Sequence, residues 1–209
     1  MLVLVSGVSG AGKSTVINKL MEKNKNYRRF ASCTTRDMRP GEVDGVSYFF
    51  LNKEQFLEYD KQGKFAEIEE IHGNYYGSLV KDIQNAISGK DVVIKDIGVE
   101  GLANIRQIVG EENVLSIFID VPKDVLRARL TDRGETQIDL RLSRYEYEHE
   151  EKFLKLYNNI VQNINLDDCV KEFEVLIKNF QKKMKHKENC GEQQVRIVGR
   201  QCDNSERNQ

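Results

Sequence analysis

The stretch that decides the fold is Gly7-Val8-Ser9-Gly10-Ala11-Gly12-Lys13-Ser14, with Thr15 directly after it. It matches the pattern G-x-x-x-x-G-K-[ST] of phosphate-binding loops. The apolar run 2–5 before it predicts a buried strand, and apolar residues at helical spacing follow it. Strand, glycine-rich loop and helix form the context in which this pattern indicates a nucleoside triphosphate site. The alternative is a turn that caps an ordinary helix.

The residue types of this loop have a chemical reason. Glycines allow the backbone to curl so that successive N–H groups face an anion, and the helix N-terminus adds a partial positive charge. We expect Lys13 to reach the β- and γ-phosphates of ATP, and the Ser14 hydroxyl to be a ligand of Mg²⁺. The segment from Gly7 to Thr15 is therefore the predicted ATP site, and Mg²⁺ bound with ATP is the predicted cofactor.

The composition excludes several classes of protein. The chain has 209 residues and a formal net charge of −1, which gives no reason to expect a nucleic acid or a membrane surface as partner. The four cysteines include no C-x-x-C pair, as is typical of free thiols in a reducing compartment. No apolar run is long enough to span a membrane, and because the first predicted strand starts at Leu2 we expect no signal peptide. We expect a cytoplasmic protein, either a monomer or a homodimer.

Apolar runs alternate with helical patterns along most of the chain. Residues 91–97, 113–120 and 160–161 predict further strands, and Asp167 or Asp168 is expected to cap a final helix. Buried strands that alternate with helices indicate an α/β fold with a parallel sheet. In such folds ligands bind at the carboxyl ends of the strands.

Residues 32–80 break this alternation and predict a small antiparallel insert. Residues 73–78 are expected to form a turn, with Ser78 as the N-cap of the next helix. Arg36 and Arg39 lie three residues apart in a short polar segment. Planar guanidinium groups suit a phosphate monoester, although two arginines can also form an ordinary exposed pair.

The second half of the chain contains two strongly charged segments. Residues 138–157 predict one long charged helix after a polar loop at 131–137. Residues 181–209 have no apolar periodicity and predict a polar, disordered tail. We therefore expect one globular domain over residues 1–180.

Four motifs in this order resemble those of guanylate kinases. They are the phosphate loop, Ser32-x-Thr-Thr-Arg36-x-x-Arg39-x-Gly-Glu, Gly-Asn-Tyr-Tyr-Gly-Ser at 73–78, and Arg133-Gly with Arg141 beyond it. The resemblance implies a P-loop nucleoside monophosphate kinase fold: a parallel sheet core flanked by helices, a mixed GMP-binding insert at about 32–80 and a helical lid at about 124–148. It implies an ATP:GMP phosphotransferase that makes GDP and ADP, with dGMP as a second candidate acceptor.

The resemblance also implies roles for single residues. Those implied for GMP are Ser32, Arg36, Arg39, Tyr48, Glu67, Tyr76, Ser78 and Asp96. Arg129 and Asn163 are implied for ATP, and Lys13, Arg36, Arg133 and Arg141 for catalysis. The chemistry agrees: the Glu67 carboxylate can accept hydrogens from N1 and the 2-amino group of guanine, while the Ser32 and Ser78 hydroxyls can donate to O6 and N7. No catalytic base is expected, because the GMP phosphate oxygen is already an adequate nucleophile.

Two segments depart from the family pattern. Where the family has Asp-Ile-Asp-x-Gln-Gly, this chain has Asp96-Ile97-Gly98-Val99-Glu100-Gly101, so Gly98 removes a carboxylate near the guanine. The family's Asn-Asp-Asp-Leu is Asn163-Ile164-Asn165-Leu166 here. Within the strand predicted at 65–71, Glu67 and Glu69 share a face, so spacing alone does not choose between them. The resemblance chooses Glu67.

Two other functions stay open at this point. One is a kinase of the same fold that acts on another phosphorylated small molecule, such as a ribose bisphosphate; Gly98 favours it weakly, and Glu67 and Ser78 disfavour it. The other is a non-catalytic guanylate-kinase-like module that binds phosphopeptides. Such modules generally lack an intact phosphate loop, so Lys13 and Ser14 disfavour that function.

Overall fold

The computed structural model describes residues 1–71 and 73–189. The strands are β1 (Leu2–Ser6), β2 (Tyr27–Arg29), β3 (Ser32–Thr34), β4 (Tyr48–Phe50), β5 (Phe65–Ile71), β6 (Asn74–Leu79), β7 (Val92–Asp96), β8 (Val114–Asp120) and β9 (Asn159–Gln162). The helices are α1 (Lys13–Lys23), α2 (Lys53–Lys61), α3 (Val80–Ser88), α4 (Val99–Val109), α5 (Lys123–Asp132), α6 (Ile138–Leu142), α7 (Tyr145–Glu148), α8 (Glu151–Leu154) and α9 (Leu166–Asn189). No helix among these residues is long and apolar enough to cross a membrane.

The core is a five-stranded parallel sheet in the order β2-β7-β1-β8-β9. β1 lies in the middle and is buried along its whole length. Its side chains alternate: Val3 and Val5 pack in the same cluster as α1 and α9, whereas Leu2 and Leu4 pack with α3 and α4. The predicted α/β fold is confirmed. Because all five strands are parallel, the carboxyl ends of β1, β7, β8 and β9 meet at one edge of the sheet.

A second sheet, with the order β4-β3-β6-β5, is formed within residues 32–79. β3 pairs with β4 in parallel, whereas β6 pairs with β3 and β5 in antiparallel fashion, so this insert is mixed rather than antiparallel. The turn predicted at 73–78 is wrong, because Tyr76 pairs with Thr34 on one side and with Glu69 on the other. Helix α3 begins after Leu79 without a side-chain cap, so Ser78 is not its N-cap.

The long helix predicted at 138–157 is wrong, because three short helices, α6, α7 and α8, occupy this segment. Local side-chain hydrogen bonds accompany the breaks. The Ser143 hydroxyl donates to the Leu140 carbonyl at 2.7 Å, and His149 contacts the Tyr145 carbonyl through Nδ1 at 2.7 Å. The other ring nitrogen of His149 lies 3.0 Å from Asp120, at the end of β8. Such bonds compete with helix continuation.

The last helix differs from the prediction at both ends. The Asn165 side chain accepts hydrogens from the backbone N–H groups of Asp167 and Asp168, so Asn165 caps α9 and neither Asp does. The helix continues to Asn189, so the disordered tail predicted from residue 181 is wrong for residues 181–189. The rest of that prediction, residues 190–209, lies outside the described residues.

Phe56→Ala should lower the free energy of unfolding by about 3–5 kcal/mol. Phe56 is 1% exposed, and its ring stacks on Phe65 and Tyr75 with centroids 4.5 and 5.6 Å away, so truncation leaves a cavity in the insert's own core. Urea unfolding measures the loss. Leu57→Ala, one residue along α2 and 40% exposed, should cost less than about 1 kcal/mol. Equal losses from the two variants would contradict a packed core in the insert.

Candidate functional site

A cleft of about 600 Å³ runs along the carboxyl edge of the parallel sheet, between the phosphate loop, the insert and residues 124–148, which we call the lid segment. Basic side chains outnumber acidic ones in its lining. The basic ones are Lys13, Arg29, Arg36, Arg39, Lys95, Arg129, Arg133, Arg141 and Arg144. The acidic ones are Glu42, Glu67, Glu69, Asp96 and Glu148. A concave surface of this charge attracts anions.

The phosphate loop depends on glycine conformations and on a support from β9. Gly7, Gly10 and Gly12 have φ angles of +146°, +90° and +89°, a region that other residues rarely adopt. A Cβ on Gly12 would lie 2.5 Å from Nδ2 of Asn163. The same Nδ2 donates to the Ala11 carbonyl at 2.8 Å. Asn163, predicted to contact ATP, therefore supports the loop backbone from just beyond the end of β9.

The polar side chains of the loop and of the first turn of α1 line the cleft. Lys13 donates to the Gly7 carbonyl and lies 3.4 Å from the Val8 carbonyl, so its ammonium group is held against the loop. Ser14 and Thr15, in the first turn of α1, are exposed and line the cleft. Arg129 of α5 also lines it. The loop N–H groups, the ammonium and these hydroxyls are the donor and ligand types that a polyphosphate and its metal ion need.

Four arginines approach one another on the opposite wall of the cleft. Arg36 donates to both oxygens of Glu42, at 2.8 and 3.0 Å, and the same carboxylate accepts the backbone N–H of Arg39. Burial and the positive charges of Arg36, Arg141 and Arg133 lower the pKa of Arg39. Such crowding of like charges favours binding of a multivalent anion, as a phosphate group is.

Asp96 and the two predicted tyrosines lie beside these arginines. The Tyr48 hydroxyl donates to the Asp96 carboxylate at 3.2 Å, and the Tyr48 and Tyr76 rings meet edge to face at 6.0 Å. Asp96 is at the end of β7, where Arg29 of β2 lies 3.9 Å away. Although burial opposes it, the neighbouring cations, Arg29 foremost, hold the pKa of Asp96 below its ordinary value. Asp96 is therefore ionised and anchors Tyr48.

The predicted base-reading residues form a buried hydrogen-bonded group that includes Lys95, which the sequence did not reveal. Lys95 donates to the Ser32 hydroxyl oxygen at 2.8 Å and lies 3.6 Å from Glu67. An ammonium can only donate, so the hydroxyl hydrogen of Ser32 is left for another acceptor. Ser78 is fully buried behind Glu67 and donates its own hydrogen to that carboxylate. The expectation that Ser78 also donates to the base is therefore wrong in this geometry.

Glu69 and Arg144 also line the cleft, and neither was predicted to belong to the site. Arg144 donates to both oxygens of Glu100 at 2.9 Å and lies 3.6 Å from Glu69. Burial, a hydrogen bond to Glu100 and the charges of Glu100 and Glu67 raise the pKa of Glu69 to about 8, although Arg144 opposes this. Glu69 is therefore mostly protonated at pH 7, and its hydrogen lies toward Glu100.

A phosphate loop at the carboxyl edge of a parallel sheet, faced by arginines of an insert and a lid segment, defines a P-loop phosphotransferase fold. The family model for guanylate kinase matches residues 1–180. The chain belongs to the guanylate kinase family.

Individual relatives agree with the family match. The guanylate kinase of Chlorobium chlorochromatii is 38% identical over 184 residues, which are 86% of this chain and 95% of that protein. That of Thermotoga maritima is 36% identical and covers 81% and 82% of the two chains. The crystal structure of guanylate kinase from Anaplasma phagocytophilum superposes with a TM-score of 0.68 at 26% identity, and covers 86% of this chain and 85% of that one.

The neutral state of Glu69 predicts a pH effect on stability. Because its pKa rises from 4.5 to about 8 on folding, the stabilisation is full below pH 4.5 and is lost as the pH rises through about 8. Glu69→Gln cannot ionise, so its thermal midpoint should fall less than that of the wild type between about pH 6 and pH 9. Glu70→Gln, exposed on the same strand, should follow the wild type. Identical profiles for all three proteins would contradict a buried neutral Glu69.

Proposed function

We propose that this protein catalyses the transfer of the γ-phosphoryl group of ATP to GMP, giving ADP and GDP, with Mg²⁺ bound to ATP. The observation that carries the proposal is one continuous cleft with a phosphate loop on one wall and the crowded arginines of the insert and lid segment on the other. Two phosphate-binding walls in one cleft are what a transfer between two nucleotides needs.

ATP binds at the loop end of the cleft. The loop N–H groups and Lys13 bind its β- and γ-phosphates, and Arg129, which lines the cleft, packs on the adenine. Ser14 offers an exposed hydroxyl oxygen in the first turn of α1, a ligand type that Mg²⁺ accepts. Mg²⁺ held there with ATP would neutralise part of the charge of the phosphate oxygens.

GMP binds at the insert end. Arg36, Arg39, Tyr48 and Tyr76 hold its phosphate, and Glu67 and Ser32 read the guanine. Lys95 makes Ser32 a donor, which suits the O6 acceptor of guanine but not the 6-amino group of adenine. Adenine has no hydrogen on N1, so with AMP the buried Glu67 carboxylate would have no donor opposite it. AMP should therefore bind poorly.

The chemistry then depends on positioning and charge. In a loose phosphoryl-transfer transition state the protein forms no covalent bond, and rate comes from alignment and from neutralising the oxygens of the transferring group. Lys13, Arg36, Arg133 and Arg141 supply that positive charge. Closure of the lid segment over the cleft excludes water and limits hydrolysis of ATP.

An assay of ADP formation tests the proposal. The protein should use GMP, and dGMP as a second acceptor, at least about a hundred-fold better than AMP, UMP or CMP in kcat/KM. Activity with a ribose bisphosphate but not with GMP would replace this function by that of a related kinase. If the protein transfers a phosphoryl group to none of these acceptors but binds phosphopeptides, its function is that of a binding module and not of a kinase.

Lys13→Met should lower kcat by a hundred-fold or more, on the order expected for loss of a charge aimed at the transferring group. Circular dichroism should show an intact fold. Lys19→Met is the control, because Lys19 lies further along α1 and pairs with Asp167 at 2.9 Å, outside the cleft. A folded Lys13→Met protein with nearly normal kcat would contradict the role of the loop.

Arg39→Lys should raise the KM for GMP by roughly ten-fold and leave the KM for ATP unchanged. An ammonium cannot replace the two parallel hydrogen bonds of a guanidinium to a phosphate. Arg28→Lys, an equally conservative change at an exposed position of β2, should change neither constant. Equal losses for both nucleotides would mean that Arg39 has a structural role.

A further inference from the structure

We propose that Glu69 is a second base-contacting group of the GMP site, and that it accepts a hydrogen bond from the 2-amino group of guanine beside Glu67. The inference rests on the proposed function and extends it. It makes Glu69, together with Glu67, a residue that distinguishes GMP from IMP, a nucleotide that has N1–H and O6 but no 2-amino group.

The position of Glu69 on β5 suits this role. Glu67 and Glu69 are two residues apart on one strand, and their side chains share a face. They are 3% and 8% exposed, and both line the cleft. The 2-amino group of guanine carries two hydrogens that point in different directions. One carboxylate can accept N1–H and one of them, so the other needs a second acceptor nearby.

Glu69 has an unused acceptor atom. Its Oε1 is buried and has no hydrogen-bond partner among the described residues. The cation nearest to it, Nη2 of Arg144, lies 3.6 Å away and is already bonded to Glu100 at 2.9 Å. A buried acceptor without a partner is unfavourable, and an N–H group of a ligand would satisfy it.

The Glu69 carboxyl group lies in space that is open because Gly98 has no side chain. A Cβ at position 98 would overlap the Glu69 carboxyl group, meeting both of its oxygens closer than any real contact. The backbone of Gly98 is extended, with φ −76° and ψ 168°, so any residue could adopt it. Glycine therefore leaves free the space that the Glu69 carboxyl group occupies, and a side chain at position 98 would displace that group. The carboxyl group that the sequence lacks at position 98 is supplied from β5 by Glu69.

The protonation of Glu69 fits an acceptor role. The groups that face it are Glu67 of β5, Glu100 of α4 and Arg144 of the lid segment. Its hydrogen is donated to Glu100, whose own pKa this bond lowers against the effect of burial. The other oxygen then remains as a neutral acceptor. A glutamine at position 69 would keep both interactions. Its amide N–H can donate to Glu100, and its carbonyl oxygen can accept a hydrogen bond from guanine.

The experiment compares KM and kcat for GMP and IMP. Glu69→Ala should raise the KM for GMP roughly ten-fold, the size of one lost hydrogen bond, while the KM for IMP stays within two- to three-fold. Glu69→Gln, which keeps a carbonyl oxygen as acceptor, should lose less of the preference for GMP over IMP than Glu69→Ala does. Glu67→Gln should raise both, because GMP and IMP share N1–H. A loss in Glu69→Ala that is equal for GMP and IMP would overturn the inference.

Moving the carboxyl group from position 69 to position 98 tests the placement. Gly98→Asp alone should raise the KM for GMP, because its side chain overlaps Glu69. Glu69→Ala combined with Gly98→Asp returns a carboxyl group to the same space and should restore the preference for GMP over IMP to within about three-fold. Glu69→Ala combined with Gly98→Val fills the same space without supplying an acceptor, and it should not restore the preference for GMP over IMP. If the two double variants discriminate equally, Glu69 does not read the base.

The controls separate this inference from the proposed function. Glu70→Ala, exposed on the same strand, should leave both KM values unchanged. A wild-type protein that does not phosphorylate GMP would overturn the proposed function and this inference with it. A wild type active on GMP, with a GMP-to-IMP preference that Glu69→Ala leaves unaltered, would overturn the inference alone. If Glu69→Ala does not fold by itself, the pair of double variants decides the question.

Discussion

The backbone curl between β1 and α1 is the constraint on which the rest of this structure depends. Three glycines with positive φ angles turn the chain at the end of a wholly buried strand, so that successive N–H groups face the edge of the sheet. The curl has little freedom, because a Cβ on Gly7 would lie 2.6 Å from the Ile119 carbonyl, and Asn163 occupies the space beside Gly12. Neighbouring strands on the same side of β1 therefore fix the loop before any ligand binds.

The second constraint is electrostatic. Arginines of the insert and the lid segment lie close enough to one another to lower the pKa of Arg39. The Glu42 carboxylate forms an ion pair with one of them, Arg36. Like charges in a partly buried cleft repel, so an anion bound between them would stabilise the arrangement. In our proposal the same repulsion links substrate binding to closure, since an anion that offsets the charge of Arg36 and Arg39 stabilises Arg133 and Arg141 beside them.

The sequence predicted what local patterns determine. The strand, loop and helix at residues 2–21 and the parallel sheet were correct because their signals lie within short segments. The turn predicted at 73–78 was wrong because pairing with β3 and β5, which are distant in sequence or not visible in the local pattern, makes this segment a strand. Lys95 was missed because it stands in an apolar strand and its polar partners come from elsewhere in the chain. Spacing did not separate Glu69 from Glu67, because the environment of Glu69 depends on the space beside Gly98, which is distant in sequence. Residue roles taken from the family resemblance remain predictions.

Binding of a bisubstrate analogue tests the central claim, that one cleft takes both nucleotides with their phosphates toward each other. Adenosine and guanosine joined 5′ to 5′ by five phosphates should bind one to one in calorimetry, at least about a hundred-fold more tightly than GMP, because the second half binds at high effective concentration. It should be displaced by ATP and by GMP. An affinity no higher than that of ATP, with displacement by ATP alone, would contradict a shared cleft.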